Sequence, residues 1–86
     1  MIVEGRVQGV GFRAFIEREA KARGLRGWVR NRSDGSVEAV FAGEEEDVQS
    51  MIVACHQGTR LSLVKAVKSS AHPPGDWKGF EVWPTV

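Results

Sequence analysis

A turn is the feature that most narrows what this chain can fold into. Ser33, Asp34 and Gly35 sit between two runs that alternate in polarity, LRGWVRN before them and SVEAVFAG after. In the second run Val37, Ala39 and Phe41 oppose Ser36, Glu38 and Val40. Alternating runs joined by so short a turn form an antiparallel hairpin, and the rest of the chain must be arranged around it. Ahead of the hairpin, MIVEGRV alternates as a strand: Met1, Val3 and Val7 face one way around Gly5, and Ile2, Glu4 and Arg6 face the other. A helical period follows from about Val10 to Arg23, with Phe12, Ile16 and Ala20 four apart, Phe15 beside them and Gly24 placed to end it. Behind the hairpin, a second helix opens on Glu44, Glu45, Glu46 and Asp47, carboxylates favoured by the positive end of a helix dipole. Its apolar stripe is Val48, Met51, Ile52 and Cys55, and Gly58 ends it. LSLVKAVKSSA reads as a fourth strand, HPPGDWKG as a loop and FEVWPTV as a short fifth strand closed by Pro84.

The order is therefore β-α-β-β-α-β with one added strand. Two βα crossovers wrapped around a hairpin give the ferredoxin-like split-βαβ arrangement, an α+β sandwich with two helices on one face of a mostly antiparallel sheet. The 86 residues suffice for one domain, 1–86, with no repeat, linker or low-complexity segment. This fold hosts unrelated functions, so it selects none by itself. Composition removes several. A formal net charge of +1 argues against a sequence-independent grip on nucleic acid. A single cysteine, Cys55, excludes an internal disulfide and fits a reducing compartment. No apolar stretch approaches the ~18 residues of a membrane span, and the amino terminus shows no signal-peptide pattern. The expectation is a cytoplasmic monomer with no membrane and no nucleic-acid partner.

The chemistry concentrates in residues 5–13, GRVQGVGFR, between the first strand and the first helix. Unpaired N–H groups at a helix start, with the dipole behind them, favour an anion. Gly9 and Gly11 let the backbone curl and approach it closely, and Arg13 can return its guanidinium over the same ligand. Arg6, on the strand side, reads as a surface charge. A tight β-to-α turn that needs glycine for packing is the plain alternative. The stretch from Gly9 to Ala14 also satisfies G-x-G-x-x-A, with Asp34 downstream. A dinucleotide site needs a continuing parallel βαβ unit, however, and a hairpin stands in its place. The P-loop pattern is absent. RNA-recognition modules share the topology, and Lys78-Gly79-Phe80 begins like their strand motif. Glu81 then stands where a small residue belongs, and the two central strands offer no stacking aromatic besides Phe41. Trp28, Trp77 and Trp83 are scattered and read as core or rim.

Two motifs in order carry a resemblance. The V-Q-G-V-x-F-R core is Val7, Gln8, Gly9, Val10, Phe12 and Arg13; the G-W-V-x-N segment is Gly27, Trp28, Val29 and Asn31, followed by Asp34, Gly35, Val37 and Glu38. Together with GFEV at 79–82 they make the chain resemble the acylphosphatase family over nearly its whole length. The resemblance departs where CHQGTRLSLVKAVK lacks a proline after its glycine, which bears on loop shape. What it implies is a ferredoxin-like enzyme that hydrolyses carboxylic–phosphoric anhydrides. Arg13 would bind the phosphate, the amides of Gln8, Gly9, Val10, Gly11, Phe12 and Arg13 would complete its cradle, and Asn31 would hold the attacking water.

The residue types suit that reaction. A carboxylate leaving group needs no general acid, and fixed N–H dipoles with a guanidinium can meet phosphoryl charge without a metal or cofactor. A neutral amide orients water without adding a negative charge beside the phosphate; the water's proton would go to a substrate oxygen. Asn31 also fits a plain strand-end turn former. His56 and His72 lie far apart with no zinc spacing, and no Ser or Cys has a base partner. The rival reading is a non-catalytic module that binds phosphate or an acyl phosphate. Nothing identifiable surrounds the acyl chain, so broad acyl tolerance is expected.

Overall fold

The turn at 33–35 closes as the alternation requires. In the computed structural model, which describes residues 1–71 and 75–86, Arg32 N–H donates to Ser36 O at 2.9 Å and Gly35 N–H to Arg32 O at 3.1 Å. The Asp34 carboxylate accepts from the Ser36 hydroxyl at 2.6 Å and the Ser36 N–H at 2.9 Å. Those bonds, the hydroxyl's first, hold the Asp34 carboxyl below its ordinary range.

Along the chain the elements are β1 (Ile2–Arg6), α1 (Phe12–Ala22), β2 (Arg26–Asn31), β3 (Val37–Ala42), α2 (Glu45–Gln57), β4 (Leu63–Lys68) and β5 (Phe80–Val82). The strands form one sheet in the order β4-β1-β3-β2-β5. β1 pairs antiparallel with β3 and β4, β2 antiparallel with β3, and β5 lies parallel to β2. This is the expected ferredoxin-like α+β architecture.

Register decides the faces. Val29 pairs with Ala39, Asn31 with Val37 and Gly27 with Phe41, so these residues share the helix side of the sheet. There Val3, Val29, Val37, Ala39 and Phe80 meet Phe12, Ile16 and Ala20 of α1 and Met51 and Cys55 of α2 in one buried core. Phe41, which the sequence left as the stacking aromatic of the central strands, packs on Phe80 on this covered side, ring centroids 5.6 Å apart. The opposite face carries Trp28 stacked on Trp83 at 4.3 Å, with the Arg30 guanidinium 4.8 Å from the Trp28 ring and its Nε 2.8 Å from Glu38 Oε1.

Several boundaries are tighter than the sequence suggested, among them three with a visible cause. Helix α1 begins at Phe12 because Gly11, with φ +76°, leaves the helical region. Strand β4 begins at Leu63 because a turn precedes it, closed by Thr59 N–H to Ser62 Oγ at 2.7 Å and Ser62 N–H to Thr59 O at 3.1 Å. β5 stops at Val82, two residues before Pro84, but its tail still follows β2: Trp83 N–H reaches Val29 O at 2.8 Å and Val86 N–H reaches Asn31 O at 3.1 Å. His72, Pro73 and Pro74 of the expected loop lie outside the described residues.

Cys55 behaves as a core residue, and burial pushes its thiol up to about 12, against a smaller opposing pull from Arg23. The folded chain then keeps a proton that the unfolded chain releases, so this contribution to stability is complete below the ordinary thiol pKa of ~8.5 and declines as pH rises toward 12. Denaturation midpoints measured from pH 8 to 11 should fall more steeply for the parent chain than for Cys55→Ala.

Candidate active site

β1 and β2 both run antiparallel to β3, so they run in the same direction and end at the same end of the sheet. β5, parallel to β2, ends there too. The loop leaving β1 at that end becomes the start of α1. Gly9 and Gly11 lie in the left-handed region, at φ +72° and +76°, and a Cβ added to either would meet nothing within 4 Å. Backbone conformation, rather than crowding, is what selects glycine here, and the space over the loop stays open. Gly11 caps α1 without a side-chain hydrogen bond, and no acidic residue stands in the first turn. The first backbone bond of the helix is Phe15 N–H to Gly11 O at 3.0 Å, which leaves the N–H groups of Phe12, Arg13 and Ala14 ahead of it.

A cleft of about 500 Å³ opens over this loop. Of the sequence-predicted residues, Gln8, Gly9, Gly11, Phe12, Arg13 and Asn31 line it, alongside Val7, Ala14, Glu17 and Val82. Val10 is the exception: its side chain packs on the core and its carbonyl accepts from Thr59 Oγ1 at 3.3 Å. Arg13 is half-buried, makes no ion pair among the described residues, and donates from Nη1 to Trp83 O at 3.4 Å. Asn31, at the last position of β2 and on the helix side of the sheet, lines the cleft, and among the described residues its side chain shows no hydrogen bond within the protein. Arg6 is exposed, as expected of a surface charge.

Some of the site was not anticipated. The Gln8 side chain donates from Nε2 to Arg32 O at 2.7 Å and Ser36 O at 2.8 Å, tying the loop to the hairpin turn. Trp83 contributes a carbonyl, which no side-chain pattern could reveal. Glu17 stands in the cleft wall four residues after Arg13, a spacing that on a helix already put the two on one face. A second cavity of about 340 Å³, bordered by Met1, Phe41, Val48, Ile52 and Trp77 among others, contains none of the predicted residues. Among the described residues no group of three His, Cys, Asp or Glu side chains is placed to hold a metal ion, and no helix is long and apolar enough to cross a membrane.

Comparison with known proteins shows the family of the chain. The sequence profile of the acylphosphatase family matches residues 1–82. The chain belongs to the acylphosphatase family. It is 54% identical to the acylphosphatase of Bradyrhizobium diazoefficiens, over all of this chain and 93% of the relative. The crystal structure of acylphosphatase from Bacillus subtilis superposes with a TM-score of 0.90 at 41% identity, covering 95% of this chain and 92% of that one. The HypF structure of T. kodakarensis matches with a TM-score of 0.86 at 32% identity over all of this chain but only 12% of its own length. This chain is thus an acylphosphatase enzyme, spanning most of the length of its bacterial relatives.

Gln8→Ala isolates the loop tie. Arg32 O and Ser36 O each keep a backbone donor, Gly35 N–H and Arg32 N–H. The loss is therefore that of made bonds rather than stranded acceptors, and urea denaturation should show a destabilisation of about 1 kcal/mol.

Proposed function

We propose that the acylphosphatase cleft binds the phosphate of an acyl phosphate on the amides of residues 8–13 and the Arg13 guanidinium, and that Asn31 holds the attacking water. The water oxygen attacks phosphorus, the bond from phosphorus to the acyl oxygen breaks, and its electron pair leaves on the carboxylate. The water's proton passes to a phosphoryl oxygen, giving a carboxylic acid anion and inorganic phosphate. The leaving carboxylate is stable enough to depart without a general acid. Charge building on the phosphoryl oxygens meets N–H dipoles and a guanidinium that are already oriented, so the reaction runs without a metal.

One observation carries this reading. Arg13 and Asn31 come from different elements separated by most of α1 and β2, yet both line the single cleft over the glycine loop. Neither is committed to a charged partner among the described residues, so both remain available to a ligand. We further read the chain as a monomeric single domain working in the cytoplasm; its lone cysteine, buried in the core, favours a compartment where no disulfide is needed.

The test is hydrolysis of benzoyl phosphate by the purified protein in excess chelator, with inorganic phosphate as a competitive inhibitor. Asn31→Ala should lower kcat about a hundredfold or more through loss of water placement, and leave the phosphate inhibition constant nearly unchanged. Arg13→Ala should damage both. Phosphate affinity lost equally in the Asn31 variant overturns the division of roles. Phosphate binding with no hydrolysis above the spontaneous rate would leave a non-catalytic module.

A further inference from the structure

The same reading of the cleft leaves one wall unassigned. The loop amides, the start of α1 and Arg13 take the phosphate, and Asn31 takes the water. What remains for the acyl substituent is Ala14 and Glu17 on α1 and Val82 at the end of β5, with Val7 buried beneath them in the core. Among the described residues lining the cleft, Glu17 is the one carboxylate and Arg13 the one cation. The two make no ion pair with each other, so Glu17 does not neutralise the guanidinium. It pairs instead with Lys21, Oε2 to Nζ at 3.0 Å, and Lys21 stands outside the cleft with 58% of its side chain exposed. Glu17 keeps 35% of its side chain exposed, while Val82 beside the cleft is exposed and apolar. An i,i+4 pair of this exposure is held weakly and screened by water, so the carboxylate still presents negative charge to whatever lies against α1.

We propose that Glu17 determines acyl specificity in this site: it disfavours acyl phosphates whose acyl group carries its own carboxylate and favours those with an ammonium group. Neutral aliphatic and aromatic acyl groups pass without charge discrimination, against Ala14 and Val82. The inference rests on the placement of the phosphate proposed above, because only that placement sends the acyl group toward α1. Selection acts between substrates that share the same anhydride, so it leaves the bond-breaking step as described.

A matched series tests it: benzoyl phosphate, 4-carboxybenzoyl phosphate and 4-(aminomethyl)benzoyl phosphate, each kcat/KM divided by that substrate's spontaneous hydrolysis rate. For the parent chain the carboxylate-bearing substrate should fall about threefold to tenfold below benzoyl phosphate, the size expected of like charges several ångströms apart in partly screened surroundings. The ammonium-bearing substrate should rise above it. Glu17→Gln should bring both ratios toward one. Lys21→Met removes the partner of Glu17 from outside the cleft and should widen them. Raising the salt to about 1 M, where the screening length falls to ~3 Å, should narrow the ratios in the parent chain. Ratios identical in the parent chain, Glu17→Gln and Lys21→Met overturn the role of Glu17 while leaving the cleft reading intact. If benzoyl phosphate itself is not hydrolysed, the cleft reading falls and this inference falls with it.

Discussion

Two strands that do not touch are held parallel by a third that touches both. β3 pairs antiparallel with β1 on one side and β2 on the other, with Val37 set against Val3 and Asn31. Because of that shared partner, the end of β1 that carries the glycine loop and the end of β2 that carries Asn31 must coincide. Helix α1 then has one place to begin, directly above them. The convergence of the glycine loop and a neutral amide is therefore a property of strand order. The hairpin turn at 33–35 enforces it, since a crossover in that position would have reversed the direction of β3.

Coincidence of strand ends would still leave a loose loop, and two sets of bonds tighten it. Gln8 reaches across to the carbonyls of Arg32 and Ser36, so the loop cannot drift from the hairpin that carries Asn31. From the other side, residues 83–86 run along β2. Trp83 accepts from Arg13, Val86 donates to Asn31 O, and Ser33 N–H donates to Val86 O at 2.6 Å. The tail is in turn fixed on the open face of the sheet, where Trp83 stacks on Trp28 beneath the Arg30 guanidinium. The groups proposed to hold a phosphate and a water are thus anchored to strands rather than to the loop alone.

Much of this was legible in the chain. Periodicity located β1, α1, β3 and α2, whose apolar faces are buried against one core, so that the period of burial is written directly into the residues. The glycine loop and Arg13 could be singled out because positive φ and a helix start restrict residue type locally, whereas Asn31 was reached only through the G-W-V-x-N segment of the family resemblance. The rest depended on partners that leave no local trace. Gln8 looks like a loop residue until the hairpin turn comes beside it. The carbonyl of Trp83 is one that any residue would supply, and the parallel register that delivers it follows from β5 alone. Phe41 alternates correctly, yet which face of a strand is covered is decided only when the helices choose a side. Glu17 lay on the helix face of Arg13, but reading it as part of the cleft required knowing how far the cleft extends along α1.

The two helices treat their own dipoles in opposite ways. Helix α2 opens on Glu45, Glu46 and Asp47, which answer its positive end from within the chain. Helix α1 opens on a glycine with no capping side chain and no acid in its first turn. A glycine in place of a capping side chain costs a helix only about a few tenths of a kcal/mol, and here the burial of Phe12 and Ile16 offsets the loss. The first turn of α1 is therefore held in place by packing beneath it, while its N–H groups stay open above. An anion seated there, as proposed for the substrate phosphate, would supply the cap that the sequence leaves out.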